Sequence, residues 1–148
     1  QPRWEEVLNG REFDVVLVLS VLHHIPAFSN RLAVMRILRN HVVQSGWLAV
    51  SAWQFTTNDR MRRKIVSWDC VGLDPSGLEP GDYLLDWKRG RLGYRYCHLI
   101  DIDEMFRMAG DSGFRLVQTF QSDGRENDLG LYGVMVPGDE PISPAALR

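Results

Sequence analysis

Phe13-Asp14-Val15-Val16-Leu17-Val18-Leu19-Ser20 places five consecutive aliphatic residues between an acid and a serine, and runs directly into Val21-Leu22-His23-His24-Ile25. A strand with one wet face alternates apolar and polar residues. A continuous apolar run predicts instead a strand covered on both faces, as in a parallel sheet with helices on either side. Ser29 or Asn30 then offers a helix cap, Leu32, Met35, Leu38 and Val42 recur at near-helical spacing, and Gly46 offers a stop. Trp47 to Trp53 (WLAVSAW) reads as a second buried strand. Strand, helix and strand in this order predict a βαβ unit with a right-handed crossover between parallel strands.

Beyond Trp53 the periodicity fails. Residues 54–94 gather Gly and Pro around Asp74-Pro75-Ser76-Gly77 and Glu79-Pro80-Gly81-Asp82, which predicts an insertion leaving the sheet, with one short helix near Arg60-Met61-Arg62-Arg63-Lys64. Pattern returns where Asp101 and Glu104 are spaced as a capping box and Ile102, Met105, Phe106 and Ala109 follow at helical intervals, ending near Gly113. Phe114 to Gln121 and Leu131 to Val136 read as two strands with no helix between them, hence an antiparallel pair. Residues 1–137 are thus expected to form one partial α/β domain whose sheet ends in an antiparallel strand, and residues 138–148 a flexible tail. The first strand is left with an unpaired edge, which a partner chain, a second copy or further residues would cover.

The 148 residues suit one domain, and 45% hydrophobic with 24% charged residues excludes disorder, collagen-like repeats and coiled coil. No apolar run approaches the roughly 20 residues of a membrane span. Cys70 and Cys97 are the two cysteines, neither in a CxxC pair, so free thiols in a reducing cytoplasm are expected. The net charge is −2, yet residues 54–98 carry eight basic residues against six acids. That asymmetry suits either an anionic ligand or a mixed solvated surface.

Ligands of open α/β sheets bind beyond the carboxyl ends of the strands, here Ser20 to Ile25 and Ser51-Ala52-Trp53. Adjacent side chains such as His23 and His24 diverge in extended chain, and no Cys, Asp or Glu completes a ligand set at a recognisable spacing, so no metal site is expected. Ser20 lacks the G-x-S-x-G elbow of a nucleophile. Either histidine is equally readable as a loop residue that caps or packs.

Phe13-Asp14-Val15-Val16 leading to Val21-Leu22-His23-His24-Ile25, then helix, glycine and apolar strand, resembles the carboxyl half of the Rossmann-like S-adenosylmethionine-dependent methyltransferases from their fourth strand onward. Within the insertion, Gly81-Asp82-Tyr83-Leu84-Leu85-Asp86-Trp87-Lys88 and Arg95-Tyr96-Cys97-His98-Leu99 are similar to segments of the tRNA wobble-uridine methyltransferases that esterify 5-carboxymethyluridine. Cys97 stands where those enzymes carry a second tyrosine. Their glycine-rich cofactor turn and ribose-binding acid have no counterpart in these residues. The resemblance implies S-adenosylmethionine as cofactor, with Ser20, Val21 and Leu22 lining its methionine end. It implies tRNA or a small-molecule acceptor as substrate, with Arg95 clamping a carboxylate or phosphate, His23 and His98 orienting polar groups, and Trp53, Trp87, Lys88 and Tyr96 contacting the acceptor. A small-molecule methyltransferase and a non-catalytic binding remnant are the other readings.

Overall fold

The structure is a computed structural model that describes residues 7–89 and 91–138, the side chains of residues 88–92 excepted. Apart from Gly138, the tail expected over 138–148 lies outside the described residues. In chain order the elements are β1 (Phe13–Leu19), α1 (Phe28–Arg39), β2 (Val42–Trp53), α2 (Asp59–Arg62), β3 (Ile65–Val66), β4 (Asp82–Arg89), β5 (Arg91–His98), α3 (Ile102–Asp111), β6 (Phe114–Ser122) and β7 (Gly130–Pro137). The main sheet has the order β1-β2-β7-β6. β1 and β2 pair in parallel, while β7 runs antiparallel to both β2 and β6. The expected mixed α/β sheet with an antiparallel finish is therefore present. No helix among the described residues is long and apolar enough to cross a membrane.

The main core lies on one face of this sheet. Val18, Leu48, Val50 and Met135 from the strands pack with Met35 and Leu38 of α1 and Met105, Met108 and Ala109 of α3. The expectation that β1 is buried on both faces is corrected: Val15, Leu17 and Leu19 are 58%, 61% and 47% exposed. Among the described residues, α1 and α3 cover one face, while on the other Trp47 is exposed beside these β1 residues and cover is found only toward the carboxyl end, where Ser51 is buried.

Three local expectations also change. Neither Ser29 nor Asn30 caps α1. Its N-cap is Ala27, and the carboxylate of Glu79, far along the chain, accepts from the Phe28 N–H at 2.8 Å. Gly46 does not stop that helix, which ends at Arg39; it lies inside a β2 that begins at Val42, where the β1–β2 register shifts. A Cβ at Gly46 would stand 2.8 Å from the Asp14 carbonyl oxygen, so only glycine permits the approach. Asp101 caps α3 as expected, accepting from the Glu104 N–H at 2.8 Å, but the Glu104 carboxylate turns away toward Arg31 and His98, so the box is half formed.

The insertion is more regular than its sequence suggests. β3, β4 and β5 form a second antiparallel sheet, with pairs such as Leu85↔Arg95 and Tyr83↔Cys97, and the hairpin runs on to His98. Its inner face buries Leu85 and Cys97 against Phe55 and Met61.

Gly46→Ala should cost about 1 to 3 kcal/mol, because the clash is with backbone and no side chain can yield. Gly77→Ala, whose added methyl meets nothing within 4 Å, should stay within about 0.5 kcal/mol. Urea midpoints of the two variants check the contrast.

Candidate functional site at the carboxyl end of the sheet

β1 is followed by Ser20, a non-glycine residue at φ 56, whose N–H donates to the Ser51 carbonyl at 3.1 Å and to Ser51 Oγ at 3.0 Å. A left-handed serine is uncommon, and such residues persist where surroundings over-determine them. The turn sends Val21 outward at 47% exposure and Leu22 inward, fully buried in the core. Of the three residues expected at the cofactor, Ser20 and Val21 thus have side chains outside the core. Leu22 offers only backbone.

The next two residues pack under the insertion. The His23 ring lies 4.1 Å from that of His24 and 4.9 Å from Trp53, centroid to centroid. Trp53, at the end of β2, faces Trp87 of β4 at 6.0 Å with the planes 15° apart. The Arg95 guanidinium stands 4.0 Å over the Trp87 ring and 5.9 Å from that of Trp53. Lys64 Nζ lies 4.6 Å over Trp87. Two cations and two indoles thus form a wall facing the carboxyl ends of β1 and β2, with both cations placed where the negative ring faces favour them.

Strand alternation divides the other expected residues. Arg95 and Cys97 point to this wall from β5, whereas Tyr96 and His98 point to the opposite face. His98 is fully buried: Nδ1 lies 2.6 Å from Asp82, and Nε2 lies 2.8 Å from Glu104. Burial opposes its charge, but the Glu104 and Asp82 carboxylates outweigh that and raise its pKa. With both nitrogens donating, Arg31 Nη2 at 3.1 Å from Nε2 is a neighbour on a shared carboxylate and not a partner. Tyr96 donates its hydroxyl to Asp82 at 2.6 Å. Of the residues expected to contact the acceptor, the structure therefore does not bring His98 and Tyr96 together with Arg95, because the same strand cannot turn both sets to one side. The Lys88 side chain lies outside those described.

His23 is placed at the site, but not as a base. It is fully buried, and neither ring nitrogen has a hydrogen-bond partner among the described residues. Burial first, then the charges of His24 and Arg95, lower its pKa to about 3. Each unsatisfied polar atom costs roughly 1 to 3 kcal/mol. Sequence reasoning missed His24 as a distinct participant, although its Nδ1 donates to the Tyr96 carbonyl at 2.9 Å and lies 3.6 Å from Cys97 Sγ. Burial pushes the Cys97 thiol up to about 12, so it is protonated. Lys64 had only the charge cluster as a signal, and Arg31 had none.

No protein-family model matches the chain. A protein of Encephalitozoon cuniculi named as a "putative methyltransferase" is 26% identical over 105 residues, covering 71% of this chain and 46% of its own length. The structure of an S-adenosylmethionine-dependent methyltransferase from Clostridium acetobutylicum matches 86% of this chain and 59% of its own, with a TM-score of 0.61 at 7% identity. One from Methanosarcina mazei matches 88% of this chain and 62% of its own, with a TM-score of 0.63 at 15% identity. The fold is that of S-adenosylmethionine-dependent methyltransferase structures. The chain spans about half the length of the curated relative and about three fifths of these two structures.

The depressed His23 pKa has a pH consequence. Below pH 6.5 the unfolded chain takes up a proton that the folded one refuses down to about pH 3, so this residue's contribution to stability falls with pH by about 1.4 kcal/mol per unit. His23→Phe should remove that slope. Between pH 6.5 and 4.5 the variant should gain about 2 kcal/mol on the unsubstituted chain, read from urea midpoints with a chelator present.

Proposed function

We propose that these residues form the acceptor-side part of an S-adenosylmethionine-dependent methyltransferase that esterifies the carboxylate of a modified wobble uridine in tRNA. The observation that carries this reading is the Arg95 guanidinium over Trp87, facing Trp53 at the end of β2. A carboxylate is ionised at neutral pH and would take the sulfonium methyl without a base, the sulfur–methyl bond breaking as the ester bond forms and S-adenosylhomocysteine leaving. What it requires is position, which a guanidinium supplies by charge-assisted, fork-like hydrogen bonds. The inaccessibility of His23 supports an acceptor with no proton to remove, and two near-parallel indoles suit the stacking of an unpaired base.

Ser20 and Val21 suit the methionine end of the cofactor, where S-adenosylmethionine supplies the electrophilic methyl group when bound. The remainder of the sheet in such an enzyme would pair along β1 and cover Val15, Leu17 and Leu19, whether it belongs to the natural polypeptide, a partner chain or a second copy. A small-molecule acceptor could use the same guanidinium. Salt separates the two, since phosphate contacts release counterions.

The test uses the natural polypeptide that carries these residues, with tRNA bearing 5-carboxymethyluridine. Arg95→Ala should lower turnover about tenfold or more, from loss of a clamp of roughly 1.5 to 3 kcal/mol, and Arg95→Lys should recover only part. The wild-type rate should be flat with pH through the imidazole range. A rate that rises with pH near 6.5 would assign a hydroxyl or amine acceptor, and salt-insensitive acceptor binding would favour the small molecule.

A further inference from the structure

Cys97 and His24 are 73 positions apart in sequence, yet Cys97 Sγ lies 3.6 Å from His24 Nδ1. His23, His24 and Cys97 each present one candidate ligand atom, and these atoms all lie within 4.8 Å of one another. Three features set the cluster apart from a packing accident. His23 is fully buried with both nitrogens unpartnered among the described residues, the kind of orphan that a bound water or ion explains. Cys97, also fully buried, contributes the soft sulfur that zinc-like ions select. The Tyr96 carbonyl accepts the His24 Nδ1 proton, the outer contact metal-ligating histidines ordinarily make; the lone pair is then on Nε2, so the 3.6 Å contact of Nδ1 with Cys97 Sγ places the ring beside the sulfur and is not itself the ligand pair.

We propose that His23, His24 and Cys97 bind a zinc-type divalent cation through two imidazoles and one thiolate. The Cys97 S–H bond breaks, its proton leaves to solvent and a sulfur–metal bond forms, while both imidazoles coordinate in the neutral state. Three protein ligands leave a fourth position, on the side of His24, which alone of the three is partly exposed. Arg95 is the nearby cation; it opposes a bare dication but favours the thiolate, and the thiolate removes one of the metal's charges. The second triad of possible ligands, Glu79, Asp82 and His98, differs in kind. Its atoms are already engaged by Arg31, Tyr96, Glu104 and the Phe28 N–H, so a cation there would have to displace a guanidinium.

The proposal is independent of the methyl acceptor and is tested on the purified 148-residue chain. Metal-free protein is titrated with Co2+, a zinc surrogate whose thiolate complexes absorb in the near ultraviolet. One equivalent should bind with a thiolate-to-metal band that Zn2+ then abolishes. The band should survive in Cys70→Ser, where Cys97 is the sole thiol, and vanish in Cys97→Ser. Zinc at about a hundredfold excess over its Kd should raise the Tm of the unsubstituted chain by about 5 °C or more, and that of Cys97→Ser by much less. Absence of the band in the Cys70→Ser protein, whose fold does not depend on altering the site, would overturn the assignment. So would a band that persists in Cys97→Ser, or a Tm indifferent to zinc in the unsubstituted chain.

Discussion

The buried Arg31 guanidinium joins three parts of the chain that share no continuous backbone pairing. It donates to Glu104 of α3 at 3.0 Å, to Glu79 ahead of β4 at 2.8 Å, and to the Ile25 carbonyl at 3.1 Å. His98 extends the network, bridging Glu104 and Asp82, and Tyr96 adds a second bond to Asp82. Deleting one partner from such a set leaves a buried charge uncompensated, at a cost of about 3 to 5 kcal/mol. Glu79 serves twice, since it also caps α1 through the Phe28 N–H. Fixing α1 and fixing the insertion are therefore one event.

Because β5 alternates its side chains, anchoring Tyr96 and His98 on one face orients Arg95 and Cys97 on the other. The polar groups of the anchored face satisfy one another, and that face sets the direction of the other. The two sides also differ electrically. His98 sits among carboxylates that favour its charge, whereas His23 sits beside Arg95 and His24 in a pocket that forbids it. The wall toward the strand ends thus carries its cations on Arg95 and Lys64 beside the indoles, while burial first disfavours charge on the imidazoles there.

The parts legible in the sequence were those governed by local period. The aliphatic run of β1, the helical spacing of Met35 and Leu38, the Asp101 cap and the β6–β7 pair each depend on neighbours within a few residues. What was not legible depends on distant partners. The hairpin Asp82–His98 lacks apolar alternation because one of its faces packs on Phe55 and Met61 while the other is satisfied by the Arg31 network. Nothing near Arg31 in sequence marks it as buried. Gly46 reads as a helix stop when only the spacing to Val42 is visible, and as a close-approach residue once Asp14 is known to lie beside it. Cys97 looks isolated until the fold brings it to His24. The exposed Val15, Leu17 and Leu19 are the converse case, where local pattern signals burial that the described residues do not provide.

If the insertion is held in place through its Arg31-bound face, hydrogen exchange on Arg31→Met will show it. Amides of β4 and β5 should lose protection by about a hundredfold or more, equivalent to roughly 3 kcal/mol, while those of β2 and β7 keep most of theirs. Protection in β4 and β5 that stays unchanged, or that falls in step with β2 and β7, would contradict it.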